Sequence, residues 1–391
     1  MYPLTVSKRL SRVPFSGIRK IFEEVNRLQQ EGREIINLGI GRPDFDTPQH
    51  IKEATIAALH EGFVHYTSNY GTVDLRKAIQ QKLQEDNNLH VDVDEIIVTL
   101  GASEAVFIAM LGLLDPGDEV LIPDPAWPHY AACVELVGGK SVPYAMKEEL
   151  HFSMDPSELE SLITDRTKML VINSPHNPTG AVLGRRELEQ IAALARKYNL
   201  FVLSDEIYEK FIYDQKPHYS LAGFPGMKER TLIVNGFSKV YSMTGWRVGF
   251  LAGPKNLISS LVKAHQYAVT CAVSFAQVGA ATALRGSQHC VEQMVEEFSR
   301  RRQLLVESIN RIEGLSLTPP SGAFYAFINV KKLGSSEELA RFYLEKAGVA
   351  MVPGVAFGAG GEGYLRASLC TSYENLQKAM EKIAEATAQW E

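Results

Sequence analysis

The sequence predicts an α/β fold: a large domain with a mostly parallel central sheet flanked by helices, and a smaller α/β domain at the C-terminal end. Two observations carry that expectation. Between about residues 95 and 250, apolar runs of strand length alternate with helical patterns, which is the signature of a parallel sheet covered by helices. After a long charged amphipathic segment at about residues 291–312, a second and shorter strand–helix–strand–helix pattern follows.

In chain order, the strand candidates of the first pattern are residues 96–100, 119–122, 169–172, 201–204, 232–234 and 248–251. Each is a short run rich in Ile, Val, Leu or Phe. Turn signals separate them, such as Asp115-Pro116-Gly117-Asp118 and Asn177-Pro178-Thr179-Gly180. In open α/β sheets, ligands bind beyond the carboxyl ends of the strands, so those turns are where chemistry is expected. In the second pattern, residues 323–328 and 363–367 read as strands, and residues 336–347 and 374–388 as helices. The N-terminal segment is expected to pack against this smaller lobe. The resulting division is a large domain of residues 45–287 and a small domain of 288–391 joined by the arm 1–44. Neither an internal repeat nor a low-complexity linker interrupts it.

A chain of 391 residues with 45% hydrophobic and 22% charged content can bury a large core. Forty basic and forty-six acidic residues leave a net charge of −6 without a long basic run, so neither a nucleic acid nor an anionic membrane is an expected partner. Small molecules are. The stretch from Met1 to Arg9 has no apolar signal core, and no segment approaches the roughly 20 apolar residues of a membrane span. A cytoplasmic location is the expectation. Cys133, Cys271, Cys290 and Cys370 are scattered without a C-x-x-C pair, so no metal site is expected and the thiols read as reduced.

Lys239 is the most informative residue. It follows the apolar run Leu232-Ile233-Val234 and lies among Gly236, Gly245 and Gly249, with Arg247 eight positions on. Most lysines are solvated, but that is unusual company for a surface side chain. A lysine ε-amine can form a Schiff base with an aldehyde cofactor, while the Ser238 hydroxyl and the Arg247 guanidinium hold a phosphate. The chemistry suits pyridoxal 5'-phosphate.

Other segments offer the remaining contacts. Thr99 to Ala105 reads as a strand, a turn at Gly101 and a helix start, where the N–H groups of Ala102 and Ser103 and the Ser103 hydroxyl can cradle an anion. A plain helix-capping serine is the alternative. Asp205, at the end of an apolar strand, needs a cationic partner, and a protonated pyridine nitrogen is one; a helix-capping aspartate is the other reading. Tyr208 can donate to the ring's phenolic oxygen. Asn177 sits in a turn-dense stretch that Pro178 and Gly180 explain, yet its amide can lie between that oxygen and a substrate carboxylate. Trp127 offers a face for stacking on the ring, or a core side chain. Arg366 can grip a carboxylate with two parallel bonds, or be a surface arginine.

The segments 38–48, 173–180, 204–208 and 238–247, with Arg366, occur in the order seen in class I/II aminotransferases, and nearly the whole chain resembles that family. Resemblance is strongest to the branch with aspartate and aromatic amino-acid aminotransferases, whose fold is the fold-type-I pyridoxal phosphate transferase. It implies that Lys239 binds the cofactor, that Arg247, Ser238, Gly101, Ala102 and Ser103 hold its phosphate, and that Asp205 pairs with its ring nitrogen. Asn177 and Tyr208 then contact the ring oxygen, Trp127 stacks, and Arg366, Asn177 and the Gly41 backbone bind the substrate α-carboxylate, with Trp127 beside the substrate. Tyr66 matches a tyrosine that such enzymes donate to the neighbouring subunit's phosphate, so a homodimer with shared active sites is implied. The implied reaction is ping-pong transfer of an amino group between an L-amino acid and a 2-oxo acid, with aspartate, aromatic or alanine-type donors and 2-oxoglutarate.

Two features depart from the pattern. Gly236 stands where some relatives place a phosphate-binding serine, and no distal arginine for a dicarboxylate side chain is identifiable. His176 reads as a turn residue. The same site chemistry suits a C–S β-lyase or an aminocyclopropane-carboxylate-synthase-like lyase, since the cofactor supplies the electron sink and the protein selects the bond. A ligand-sensing module is disfavoured because no basic DNA-binding stretch precedes residue 30. Substrate choice depends on loops such as residues 13–17 and on the partner subunit.

Overall fold

The computed structural model describes residues 6–15 and 17–390; residues 1–5 of the opening stretch, and Ser16 within the 13–17 loop, lie outside the described residues. A seven-stranded sheet forms from β2 (Ile96–Thr99), β3 (Glu119–Asp124), β4 (Lys140–Ala145), β5 (Thr167–Asn173), β6 (Phe201–Asp205), β7 (Thr231–Gly236) and β8 (Gly249–Ala252), after a two-residue strand β1 (Ile36–Asn37). Its order is β2-β8-β7-β6-β5-β3-β4. The pairs β3–β4, β3–β5, β5–β6 and β6–β7 are parallel, whereas β8 runs antiparallel to both β2 and β7. The sheet is therefore mostly parallel, with one reversed strand.

Successive side chains of a strand point to opposite faces, and both faces are covered. Ile97, Val120, Val171, Leu203 and Leu232 pack with helices Ala102–Leu113, His129–Val137 and Lys255–Val269. On the other face, Val98, Ile233 and Phe250 meet helices Val73–Asn87 and Ser274–Arg285, and Leu121, Leu170 and Val202 meet helix Arg185–Lys197. Strand β4 has no counterpart in the sequence reading. It is the edge strand, most of its residues are exposed or half-buried, and it carries Pro143, so it lacks the apolar run that marks the others.

The smaller lobe is a three-stranded antiparallel sheet of β9 (Tyr325–Asn329), β11 (Val352–Pro353) and β12 (Tyr364–Ser368), in the order β11-β12-β9. Helices His289–Ile309 and Tyr373–Thr387 contribute Phe298, Leu305, Leu376 and Ile383 to its core. In the N-terminal segment, β1 pairs in parallel with β10 (Val349–Ala350), and Val25 and Leu28 pack with Leu344 and Ala350. The helix expected over 336–347 is α-helical only at Ser336–Phe342 and continues as a π-turn, Tyr343–Ala347. Among the described residues no helix is long and apolar enough to cross a membrane.

Strands β2, β3, β5, β6 and β7 all point their carboxyl ends to one edge of the sheet, where β12 of the smaller lobe delivers Arg366. The site lies there.

Candidate active site

A cavity of ≈ 260 Å³ opens at that edge, and every residue expected to bind cofactor or substrate lines it except Gly101 and Tyr66. Lys239 reaches it just beyond β7. Its Nζ donates to the Gly41 carbonyl and lies 6.0 Å from the Phe324 ring centroid. Burial pulls the amine down to about 8, Arg366 and Arg247 adding to that effect and Cys370 and Asp205 opposing it.

The anion cradle follows from close backbone approach. Helix Ala102–Leu113 starts after Gly101, which has φ +76° and is the N-cap residue. Ser103 is therefore the second residue of the helix and not its cap, which removes the plain capping reading. A Cβ on Gly101 would lie 2.7 Å from Arg247 Nη2, and one on Gly249 would lie 2.7 Å from the Ala102 nitrogen. Glycine at both positions lets strand, helix start and guanidinium converge. Arg247 donates to the carbonyls of Thr244 at 3.0 Å and Leu100 at 3.1 Å, which aims it at the helix start. The same crowding accounts for Gly236: a Cβ there would sit 2.9 Å from Gly249 Cα.

Asp205 ends β6 and is 2% exposed. Its Oδ2 accepts from the Tyr130 hydroxyl at 2.6 Å and its Oδ1 from the Ile207 N–H at 3.1 Å. Burial pushes the carboxyl up to about 6 against those two bonds. A buried carboxylate whose hydrogen-bond donors are neutral, at the edge of a cavity, suits a cationic ring nitrogen. No helix follows Asp205, so it is not a helix cap. Tyr208 shares a 3.0 Å hydrogen bond with the Tyr325 hydroxyl, and burial raises its pKa, so it stays a protonated donor.

Arg366 is 2% exposed, which overturns its reading as a surface residue. Its guanidinium lies 4.4 Å from the Tyr325 ring centroid and 4.8 Å from that of Phe357. Nη1 donates to Asn177 Oδ1 at 3.1 Å and Nη2 to the Gly39 carbonyl at 2.7 Å, while the buried Nε has no partner. Leaving a buried donor unmade is costly, and a ligand carboxylate would satisfy it. Gly41, expected to help bind the carboxylate, offers its carbonyl to Lys239 here, and Gly39 supplies the oxygen that meets Arg366. Asn173 Oδ1 accepts from the Asn177 N–H at 2.9 Å and its Nδ2 donates to the Asp205 carbonyl at 3.0 Å, tying the two strand ends together.

Trp127 follows the end of β3, at the cavity wall and not in the core. Tyr66 is 86% exposed and lies outside its own chain's cavity. His176 is buried against Thr179 Oγ1 at 2.8 Å, and burial draws its imidazole down to about 3. It is off the cavity, as a turn residue should be. Sequence reasoning missed Tyr130, Asn173, Ile207, Thr244, Tyr325 and Ile18, which also line the cavity. Asn173 and Thr244 stood inside motifs already singled out; Tyr130 and Tyr325 carry the pattern of core residues.

An amine, an anion cradle, a carboxylate for a cationic ring and an unsatisfied guanidinium fit an aldehyde cofactor with a phosphate, beside a substrate carboxylate. The model of the family described as aminotransferase class I and II matches residues 33–383. An aspartate aminotransferase of Pyrococcus abyssi is 47% identical over 97% of each chain. Aromatic-amino-acid aminotransferase 2 of Thermococcus litoralis is 44% identical over 97% of each chain. Among solved structures, the aspartate aminotransferase from Rhizobium meliloti superposes with a TM-score of 0.96 at 38% identity, covering 100% of both chains.

Proposed function

The chain belongs to the class I and II aminotransferases and is a pyridoxal-phosphate-dependent transaminase; from that premise we propose that it works by a ping-pong mechanism with aspartate, aromatic or alanine-type donors and 2-oxoglutarate as acceptor. When bound, the cofactor supplies an electron sink for negative charge at the donor's α-carbon. Lys239 Nζ is the amine that would hold the cofactor at its aldehyde carbon, and the same Nζ is the base that would take the proton from the donor's Cα. An amine whose pKa is drawn down to about 8 is suited to that task near neutral pH. Ser238, Arg247 and the Gly101–Ser103 turn hold the phosphate. Asp205 would keep the ring nitrogen protonated, Tyr208 and Asn177 would donate to the ring oxygen, and Trp127 would stack on the ring. Arg366, with Asn177, orients the α-carboxylate and so fixes which Cα–H faces Nζ.

The observation that carries this reading is the convergence of Lys239, Asp205 and the unpartnered Arg366 Nε on one cavity. Borohydride reduction of the holoenzyme followed by peptide mapping tests it. The cofactor is expected on Lys239, and attachment at any other lysine rejects the assignment. A half-reaction panel of amino acids, followed by the cofactor's visible spectrum, identifies the donors; release of pyruvate or a cyclic product without an acceptor would instead indicate a lyase.

The same reading makes the enzyme a cytoplasmic homodimer in which the exposed Tyr66 serves the neighbouring subunit's phosphate. It also divides the chain into a cofactor-binding domain of residues 45–287 and a smaller domain of 288–391 with 1–44.

A further inference from the structure

His129, the first residue of helix His129–Val137, touches two walls of the cavity at once. Its ring stacks on the Trp127 indole, with centroids 4.5 Å apart and planes inclined by 29°. Its Nε2 lies 2.9 Å from the Ser103 carbonyl oxygen. A carbonyl only accepts, so Nε2 carries the proton and donates. Burial lowers the imidazole's pKa against the opposing pull of that bond, which keeps the ring neutral at pH 7 beside an anion site. Cys133 Sγ, one turn along, is 3.4 Å from the same nitrogen, and burial pushes its thiol up to about 12, so no thiolate competes for the proton.

Among the hydrogen bonds of the described residues, no other side chain reaches Ser103, and none involves the Trp127 indole nitrogen. Apart from His129, the ring packed on Trp127 is Tyr130, edge-on at 5.4 Å.

We propose that His129 is a positioning residue that couples the phosphate cradle to the ring-stacking wall. Through Nε2–H it fixes the Ser103 main chain, and with it the helix start that meets the phosphate. Through its face it fixes the plane of Trp127. The proposal rests on the reading above, in which this cavity takes pyridoxal phosphate.

Two substitutions separate the two contacts. His129→Phe keeps an aromatic face and loses the donor; His129→Gln keeps an N–H donor and loses the face. Holoenzyme is stripped and titrated with pyridoxal phosphate and with pyridoxal, which lacks the phosphate, while tryptophan emission is recorded against a Trp127→Phe control. His129→Phe is expected to weaken pyridoxal phosphate binding about fivefold, as loss of one hydrogen bond implies, with pyridoxal binding unchanged. His129→Gln is expected to retain the wild-type preference for the phosphorylated ligand but to lose part of the quenching of Trp127 by the cofactor. Equal weakening of both ligands in His129→Phe overturns the proposal, as does wild-type behaviour of both variants. If His129→Phe does not fold, the two His129→Gln readouts decide. Absence of saturable pyridoxal phosphate binding to the wild type would instead reject the reading on which the proposal rests.

Discussion

The Tyr130 hydroxyl donates to Asp205 Oδ2 across 2.6 Å, joining a tyrosine with no exposure to a carboxylate with almost none. This bond favours the ionised carboxylate that the proposed pairing with a cofactor ring nitrogen needs, whereas burial disfavours it and leaves the carboxyl at about 6 in the cofactor-free protein. Removing the hydroxyl therefore drives Asp205 further toward its neutral form. Hydrogen bonds to charged groups are worth about 1.5–3 kcal/mol, so Tyr130→Phe is expected to lower kcat/KM roughly ten- to a hundredfold. The acid limb of the pH–rate profile is expected to move to higher pH. An acid limb unchanged from wild type contradicts this role for Tyr130.

Asp205 also bears on stability in the cofactor-free protein. Its folded-state value of about 6 is above the ordinary 3.8, so the folded form binds the proton more tightly than the unfolded chain. The resulting stabilisation is complete below 3.8 and is lost as pH rises through about 6. Above that range the buried charge costs on the order of 3 kcal/mol. Cofactor-free Asp205→Asn should then melt above the wild type at pH 7 to 8, with the gap closing toward pH 4. A gap that does not depend on pH would show that the charge is not its cause.

Lys239 titrates in the opposite sense. Burial lowers its pKa from 10.5 to about 8, so the neutral, nucleophilic amine accumulates above that pH rather than above the usual lysine value. Stopped-flow uptake of pyridoxal phosphate by the stripped protein should accelerate as pH rises through about 8 and then level off. A rate still climbing at pH 10 means that the amine is not depressed.

Arg366 is held by two aromatic rings and two acceptors, with Nε left for a ligand. Because an α-carboxylate is common to all donors, Arg366→Ala should raise KM for every amino acid by a similar factor, roughly a hundredfold for a lost bidentate charged pair. Loss confined to one donor would assign the arginine to side-chain recognition instead.

Much of this site was legible because its residues sit against the grain of their surroundings. A lysine beyond an apolar strand, an aspartate ending another and an arginine within a third each break a hydrophobic pattern, and a broken pattern is visible in one sequence. Tyr130 and Tyr325 were not legible for the converse reason: each conforms to the apolar periodicity of its helix or strand, and only the tertiary fold brings its hydroxyl to a functional partner. The bonds that the Gly39 and Gly41 carbonyls accept from Arg366 and Lys239 were invisible because backbone carbonyls carry no residue-type signal. Strand β4 escaped because an edge strand has little apolar surface to bury and tolerates Pro143. The reversed direction of β8 likewise follows from its connections and not from its composition.

Gly249 tests whether the anion cradle depends on backbone approach. A Cβ there would stand 2.7 Å from the Ala102 nitrogen and 2.7 Å from the Gly101 carbonyl carbon, and both neighbours are backbone that no rotamer change can move aside. Gly249 pairs with Gly236 across β7 and β8, so the strand has little room to retreat the other way. Overpacking of this kind costs about 1–3 kcal/mol, and the strain falls on the helix start proposed to meet the phosphate. Gly249→Ala should therefore lower the melting temperature by several degrees and weaken pyridoxal phosphate more than phosphate-free pyridoxal. A variant that loses stability while binding both ligands as the wild type does would show that the cradle adapts to the added methyl, and that the glycine serves packing alone.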